Sequence, residues 1–229
     1  MSRVAQVLFT RAPLPGKTKR RLTPFLTSQQ ASDLHKAMIS DTVSVMKRVE
    51  ADIFICHEPS CDDNFSFEEW VGKQRTYPQR GRVLHQKVIN GFMDVSKRGY
   101  QKAFLIVSDS PLIQEDYLQQ ALDAVNNDEP VAVIGPSHDR GAYLLGVNRF
   151  EDFGFLKDIP WSESTVLDIL ISRISASGFS LITLPAVRDI DEKEDVYWLL
   201  RESARVAGHE LQQVKKFFRA EGKSIFNGT

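Results

Sequence analysis

Short apolar runs, each emptying into a turn rich in Gly, Pro, Asp or Ser, recur along this chain and alternate with segments whose apolar positions follow a helical period. Runs at residues 4–10, 52–56, 104–107, 131–135, 142–147 and 180–184 have the continuous apolar character of strands buried on both faces, and a weaker one lies at 75–77. Between them, Thr27 followed by Gln30 forms a capping-box signature. It opens a helix carrying Leu34, Ala37, Met38, Val45 and Val49 at helical spacing. Further helices are predicted over 83–97, 116–125, 164–177, 195–207 and 210–220, the last closed by Gly222. The polar and aromatic stretch 59–74 sets Phe65, Phe67 and Trp70 on one short helix. Strand–helix alternation with short connections predicts an α/β fold, a mainly parallel sheet with helices on both faces. The chain shows no internal repeat and no linker, so residues 1–229 are expected to form a single domain.

Charge changes this picture only locally. The formal net charge is −1, so no global basic field argues for nucleic acid, and phosphate chemistry would have to come from a local cluster. No apolar run approaches the length of a membrane span and the first residues lack a signal-peptide pattern, so a cytoplasmic protein is expected. Cys56 and Cys61 form neither a disulfide framework nor a zinc motif, and Cys56 reads as a small core residue. The histidines at 35, 57, 85, 138 and 209 have no metal-type spacing and read mostly as surface or helix residues.

Three clusters carry chemistry. The run at 104–107 ends in Ser108-Asp109-Ser110-Pro111, which sets a lone carboxylate just beyond the carboxyl end of a strand, where ligands of open α/β sheets sit. Asp109 there is either a ligand of a metal–phosphate group or a turn cap. After the first strand, residues 10–22 (TRAPLPGKTKRRL) gather Arg11, Lys17, Lys19, Arg20 and Arg21 around Gly16, an arrangement suited to phosphate or to a solvated surface. It lacks the spacing of a P-loop. Finally, Asp189 and Asp191 precede Glu192, Glu194 and Asp195. The last three suit a helix N-terminus, whereas Asp191 would gain nothing as a cap. Asp109 and Asp191, brought together, would supply the hard oxygen ligands that a nucleotide-bound divalent cation needs.

The segments TRAPLPGKTKRRL, SDSPLI, GPSHDRGAYLLGV, IPWSESTVL and RDIDEKEDV, in this order, resemble the rSAM/selenodomain-associated transferase 1 family, whose members have a glycosyltransferase-A-like fold. The resemblance spans residues 4–200 and extends distantly to molybdenum-cofactor and phospholactate nucleotidyltransferases. It implies a nucleotide or nucleotide-sugar donor, a small-molecule acceptor and Mg²⁺ or Mn²⁺ held by Asp109 and Asp191. It sets Gly16, Lys19 and Arg21 on the donor-binding glycine, lysine and arginine, makes Lys19 catalytic beside the two aspartates, and adds Arg11, Asp139, Arg140 and Gly141 to the substrate site. Two departures stand out: residues 82–87 (RVLHQK) replace G-D-L-G-E-R, and Asp139-Arg140-Gly141-Ala142 replaces D-G-G-Y. Arg140 is expected to reach across the acceptor side of the cleft or to pair with Asp139. The leading expectation is a metal-dependent glycosyl- or nucleotidyltransferase; the alternative is a catalytically weakened nucleotide-binding protein on the same fold.

Overall fold

The computed structural model describes residues 3–59, 65–150, 153–160, 165–206 and 210–226. Seven strands form one sheet: β1 (Val4–Thr10), β2 (Asp52–His57), β3 (Arg75–Pro78), β4 (Lys102–Val107), β5 (Val131–Pro136), β6 (Ala142–Val147) and β7 (Ser180–Thr183). The helices are α1 (Ser28–Met46), α2 (Glu68–Val71), α3 (Leu84–Ser96), α4 (Glu115–Val125), α5 (Val166–Ala176), α6 (Lys193–Arg205) and α7 (Gln212–Phe226). Cys61, Ser164 and His209 lie outside the described residues.

The sheet order is β3-β2-β1-β4-β6-β5-β7. Every pairing is parallel except those of β6, which runs antiparallel to both β4 and β5. The sheet is therefore mainly parallel, as expected, with one reversed strand filling the slot that the β4–α4–β5 crossover leaves open. Leu8, Ile55 and Phe104 pack on one face against Ile39, Val43 and Met46 of α1 and Leu118 of α4. Val7, Phe54 and Leu105 pack on the other against Val88 and Phe92 of α3 and Leu170 of α5. This two-sided burial is why the strands read as unbroken apolar runs.

The Thr27–Gln30 capping box forms as the sequence indicates. Gln6, buried in β1, donates from Nε2 to the carbonyl of Met46 at 2.8 Å and so ties the end of α1 to the sheet. Of the aromatic stretch, only Trp70 is helical; Phe65 and Phe67 precede α2 and meet it edge-on.

A second correction concerns the last helix. Gly222 does not end it, because α7 continues to Phe226, whose ring packs with Phe25 and Tyr197. Burial of Val214, Phe217, Phe218 and Ile225 outweighs the modest cost of a helical glycine. With α6, this helix forms an outer layer on the far side of α1. Asp41 of α1 caps it from a distance, its carboxylate accepting from the backbone N–H groups of Gln213 and Val214, both at 2.9 Å. Burial pushes this carboxyl up, and the two amides only partly draw it back. Asp41→Ala should leave both donors unsatisfied and cost about 3 kcal/mol, a fall in Tm on the order of 10 °C in a thermal melt. Asp41→Asn, which keeps one acceptor oxygen, should fall between; an unchanged Tm in both would mean that α7 is held by its apolar face alone.

Candidate active site

The loop after β1 is built rather than loose. Ser32 of α1 donates to the carbonyl of Pro13, Gly16 takes a left-handed φ of 72°, and Leu22 is fully buried. Between these anchors Lys19 is itself left-handed at φ 44°, an uncommon conformation for a side-chain-bearing residue. That turn sends its side chain inward, where it is only 4 % exposed. Its ammonium donates to the carbonyl of Ile190 at 2.7 Å and meets Asp109 Oδ1 at 2.8 Å and Asp191 Oδ1 at 3.0 Å.

Asp109 and Asp191 therefore converge, since two oxygens touching one nitrogen can be no farther apart than those two distances together. The backbone fixes the same approach: the N–H of Ile190 donates to the carbonyl of Asp109 at 2.9 Å. Ahead of it, an isolated parallel bridge between Ser137 and Val187 draws the segment after β7 back across the strand ends. Burial works to lower the Lys19 pKa, but the carboxylates of Asp109 and Asp191 outweigh it and hold it above its ordinary value. For Asp109 burial pushes upward, and Lys19 with His35 brings the carboxyl below the usual range.

A buried histidine braces this cluster, a role its scattered spacing in the sequence did not signal. His35 of α1 shares hydrogen bonds with Thr18 Oγ1 at 2.5 Å and Ser108 Oγ at 3.0 Å, and Thr10 Oγ1 donates to Ser108 Oγ at 2.8 Å. It joins the residue before Lys19 to the residue before Asp109. Burial lowers its pKa to about 4, so the ring is neutral at pH 7. Position 35 carries a polar residue beside the apolar stripe of α1, the one hint in the sequence that it faces inward.

The remaining expected site residues divide. Arg21 lies 3.9 Å from Asp191 with its side chain 76 % exposed, while Lys17 and Arg20 are exposed. Arg11 turns to Glu58 at 3.2 Å, and Lys87 of α3 meets the same carboxylate at 2.7 Å. Asp139 accepts from Ser137 Oγ at 2.5 Å and from the N–H of Gly141 at 2.9 Å, closing the turn 137–141 between β5 and β6. A Cβ on Gly141 would come within 2.9 Å of Ser137 Oγ, so a side chain there would have to displace the Ser137 hydroxyl from its bond to Asp139. Arg140 corrects the sequence reading. It adopts φ 70° and its guanidinium pairs with Asp168 of α5, neither reaching into the cleft nor pairing with Asp139. Glu192 is the N-cap of α6, and Asp195 completes that cap while pairing with Arg188, as their positions ahead of a helix suggested.

Asp189 opens the acidic cluster read from the sequence, a reading that gave it no role of its own. Ser110 donates to its carboxylate, yet burial pushes its pKa up to about 7. It borders two adjoining cavities. One, of about 440 Å³, is polar and is lined by Arg21, His138, Arg188 and Asp191, with Asp139 and Asp189 on the shared side. The other, of about 180 Å³, is walled by Phe9 and Leu105 of the sheet, Leu84 and Val88 of α3, and Val166 and Leu170 of α5. Asp109, Asp139 and Asp189 face it.

Two converging, partly exposed carboxylates match in donor chemistry what a divalent cation takes from a protein when phosphate and water fill its other positions. Among the described residues no group of three or more His, Cys, Asp or Glu side chains is arranged to hold a metal.

A family model described as uncharacterized protein conserved in bacteria, DUF2064, matches residues 42–163, more than half of the sequence. The chain belongs to the DUF2064 family. This DUF2064 chain is 26 % identical over 191 residues to a 2-phospho-L-lactate guanylyltransferase of Methanobrevibacter ruminantium, covering 77 % of the chain and 80 % of the relative. A phosphoenolpyruvate guanylyltransferase of Roseiflexus is 29 % identical over 129 residues, 56 % of the chain and 55 % of the relative. Among solved structures, a candidate nucleotide-diphospho-sugar transferase from Desulfovibrio desulfuricans superposes with a TM-score of 0.88 at 25 % identity, covering 99 % of the chain and 98 % of that protein. The α/β fold anticipated from the sequence is thus the fold of a nucleotide-diphospho-sugar transferase relative. No helix among the described residues of the DUF2064 chain is long and apolar enough to cross a membrane.

Proposed function

We propose that this protein is a nucleotidyltransferase that moves a nucleoside monophosphate from an NTP onto a small acceptor. The observation that carries the reading is the convergence of Asp109, Asp191 and Lys19 at the carboxyl ends of β1 and β4, beside a polar cavity and an apolar one. The guanylyltransferase names of its sequence relatives favour nucleotidyl over glycosyl transfer, and the motif resemblance to the selenodomain-associated transferases points to the same donor class. The donor's phosphates would take the polar cavity, with Arg21 and the exposed cations of the β1 loop around them. Asp109 and Asp191 would hold Mg²⁺ or Mn²⁺, which when bound neutralises charge developing on phosphoryl oxygens. Lys19, buried between the two carboxylates, keeps them together. In the reaction the nucleophilic oxygen or nitrogen of the acceptor bonds to the α-phosphorus as the bond to the β-phosphate oxygen breaks. Pyrophosphate leaves with that electron pair, and the acceptor proton passes to a carboxylate or to water.

A melting experiment across GTP, CTP, ATP, UTP and nucleotide sugars with Mg²⁺ tests the donor. A ligand at about 100 times its Kd adds about 2.7 kcal/mol, a rise of about 5–10 °C in Tm for a chain of this size. An NTP should give that rise and Asp109→Asn should erase it; a flat panel would sink the proposal. The weakened-binder reading draws on the replaced 82–87 motif, and it requires the same rise without pyrophosphate release in any acceptor mixture.

A further inference from the structure

The smaller cavity constrains the acceptor. At about 180 Å³ it falls below the usual range for a drug-sized ligand, so it takes a small organic group and not a nucleotide. Its walls are aliphatic and aromatic, and among the described residues its ionisable side chains besides Tyr143 are the carboxyl groups of Asp109, Asp139 and Asp189. Among the described residues no Lys, Arg or His lines it. Cations on neighbouring segments are already paired: Lys19 with Asp109 and Asp191, Arg140 with Asp168, and Arg188 with Asp195. At its lip Leu84 is 41 % exposed and its neighbour Val83 46 %, two of the three large apolar side chains exposed among the described residues.

An anion in this cavity would sit against acidic groups in surroundings of low polarity, and the ammonium that touches one of them, Lys19 on Asp109, is already shared between two carboxylates. An aliphatic body would bury apolar surface against α3 and α5, and an amine or hydroxyl at its end would meet carboxylate acceptors. We infer that the apolar cavity between α3, α5 and the sheet binds a small apolar-bodied amine or alcohol bearing no phosphate or carboxylate. This sets the chain apart from its guanylyltransferase relatives, whose names specify anionic acceptors. Calling the occupant an acceptor rests on the transferase reading; the cavity's preference does not.

The test is a binding titration of the nucleotide-free protein with three probes of equal chain length: hexylamine, 1-hexanol and hexanoate. Hexylamine should bind at least tenfold more tightly than 1-hexanol, and hexanoate should show no saturable binding. Asp139→Asn, in an exposed turn, should reduce the preference of amine over alcohol, and Leu170→Trp should abolish binding of both. If Leu170→Trp fails to fold, Leu84→Ala at the exposed lip should weaken hexylamine severalfold. Hexanoate binding as tightly as hexylamine, or no binding by any probe, would overturn the inference. NTP-induced melting shifts, measured in parallel, keep the two readings apart: amine preference without a shift removes the transferase and leaves the cavity, while hexanoate binding with a shift does the reverse.

Discussion

Lys19→Met is expected to lower Tm by about 8 °C in metal-free buffer at neutral pH, and Mg²⁺ or Mn²⁺ should restore a large part of that loss. Removing one partner of a buried ion pair costs about 3–5 kcal/mol when the abandoned charge has no water. Here Asp109 and Asp191 remain 42 % and 40 % exposed, so water screens what is left and about 2–3 kcal/mol is the appropriate scale. The carbonyl of Ile190 also loses its donor. Methionine keeps the length of the side chain and inherits the same left-handed backbone, so neither volume nor strain offsets the loss. A divalent cation then meets two carboxylates with no ammonium between them, and the variant should respond to metal more strongly than the native protein. Matching melts for the two proteins, with and without metal, would show that Lys19 does not balance this pair.

The second large effect is a cancellation that single variants should uncover. His35 titrates at about 4 in the fold against 6.5 in an unfolded chain, so the unfolded state takes up this proton first. Its contribution is complete above about 6.5 and is lost as pH falls through about 4, which amounts to about 3 kcal/mol. Asp189 runs the other way. Its folded value of about 7 lies above the ordinary 3.8, so the fold holds that proton more tightly, and its contribution is complete below 3.8 and lost as pH rises through about 7. Over the shared window the two nearly offset in the native protein. Asp189→Asn should therefore expose a loss of about 3 kcal/mol between pH 6.5 and 4, and His35→Gln a gain of similar size. Urea unfolding at a series of pH values measures both, and parallel profiles for the three proteins would mean that neither group is held as described.

Most of the sheet was legible because burial on both faces writes each strand as an apolar run, and the first long helix announced its own start through Thr27 and Gln30. The direction of β6 was not, since an apolar run reads the same whichever way it is laid into the sheet. Gly222 misled because local punctuation yields to packing when Ile225 and Phe226 beyond it have a surface to join. Within the site, the motifs marked Asp109, Asp191 and Lys19 but not that an ammonium would lie between the carboxylates, which depends on one backbone torsion at residue 19. His35 escaped notice because what sets it apart is burial and it belongs to no run or spacing that announces it, whereas Asp189 stood in the acidic run, whose pattern does not say which carboxyl the fold will bury.

Because β6 is reversed, its link to β5 is a short turn on the rim of the site, whereas a parallel strand there would have needed a crossover helix. That turn, 137–141, supplies Asp139 and Gly141 to the apolar cavity, while the cluster around Lys19 is braced from β1, α1, β4 and the segment after β7. The two parts of the site are thus inherited on separable pieces of chain. Changes of length or residue in one exposed turn can redirect what the cavity admits without moving Asp109 and Asp191, and Arg140, left-handed in that turn, already turns its side chain away from the cavity to Asp168.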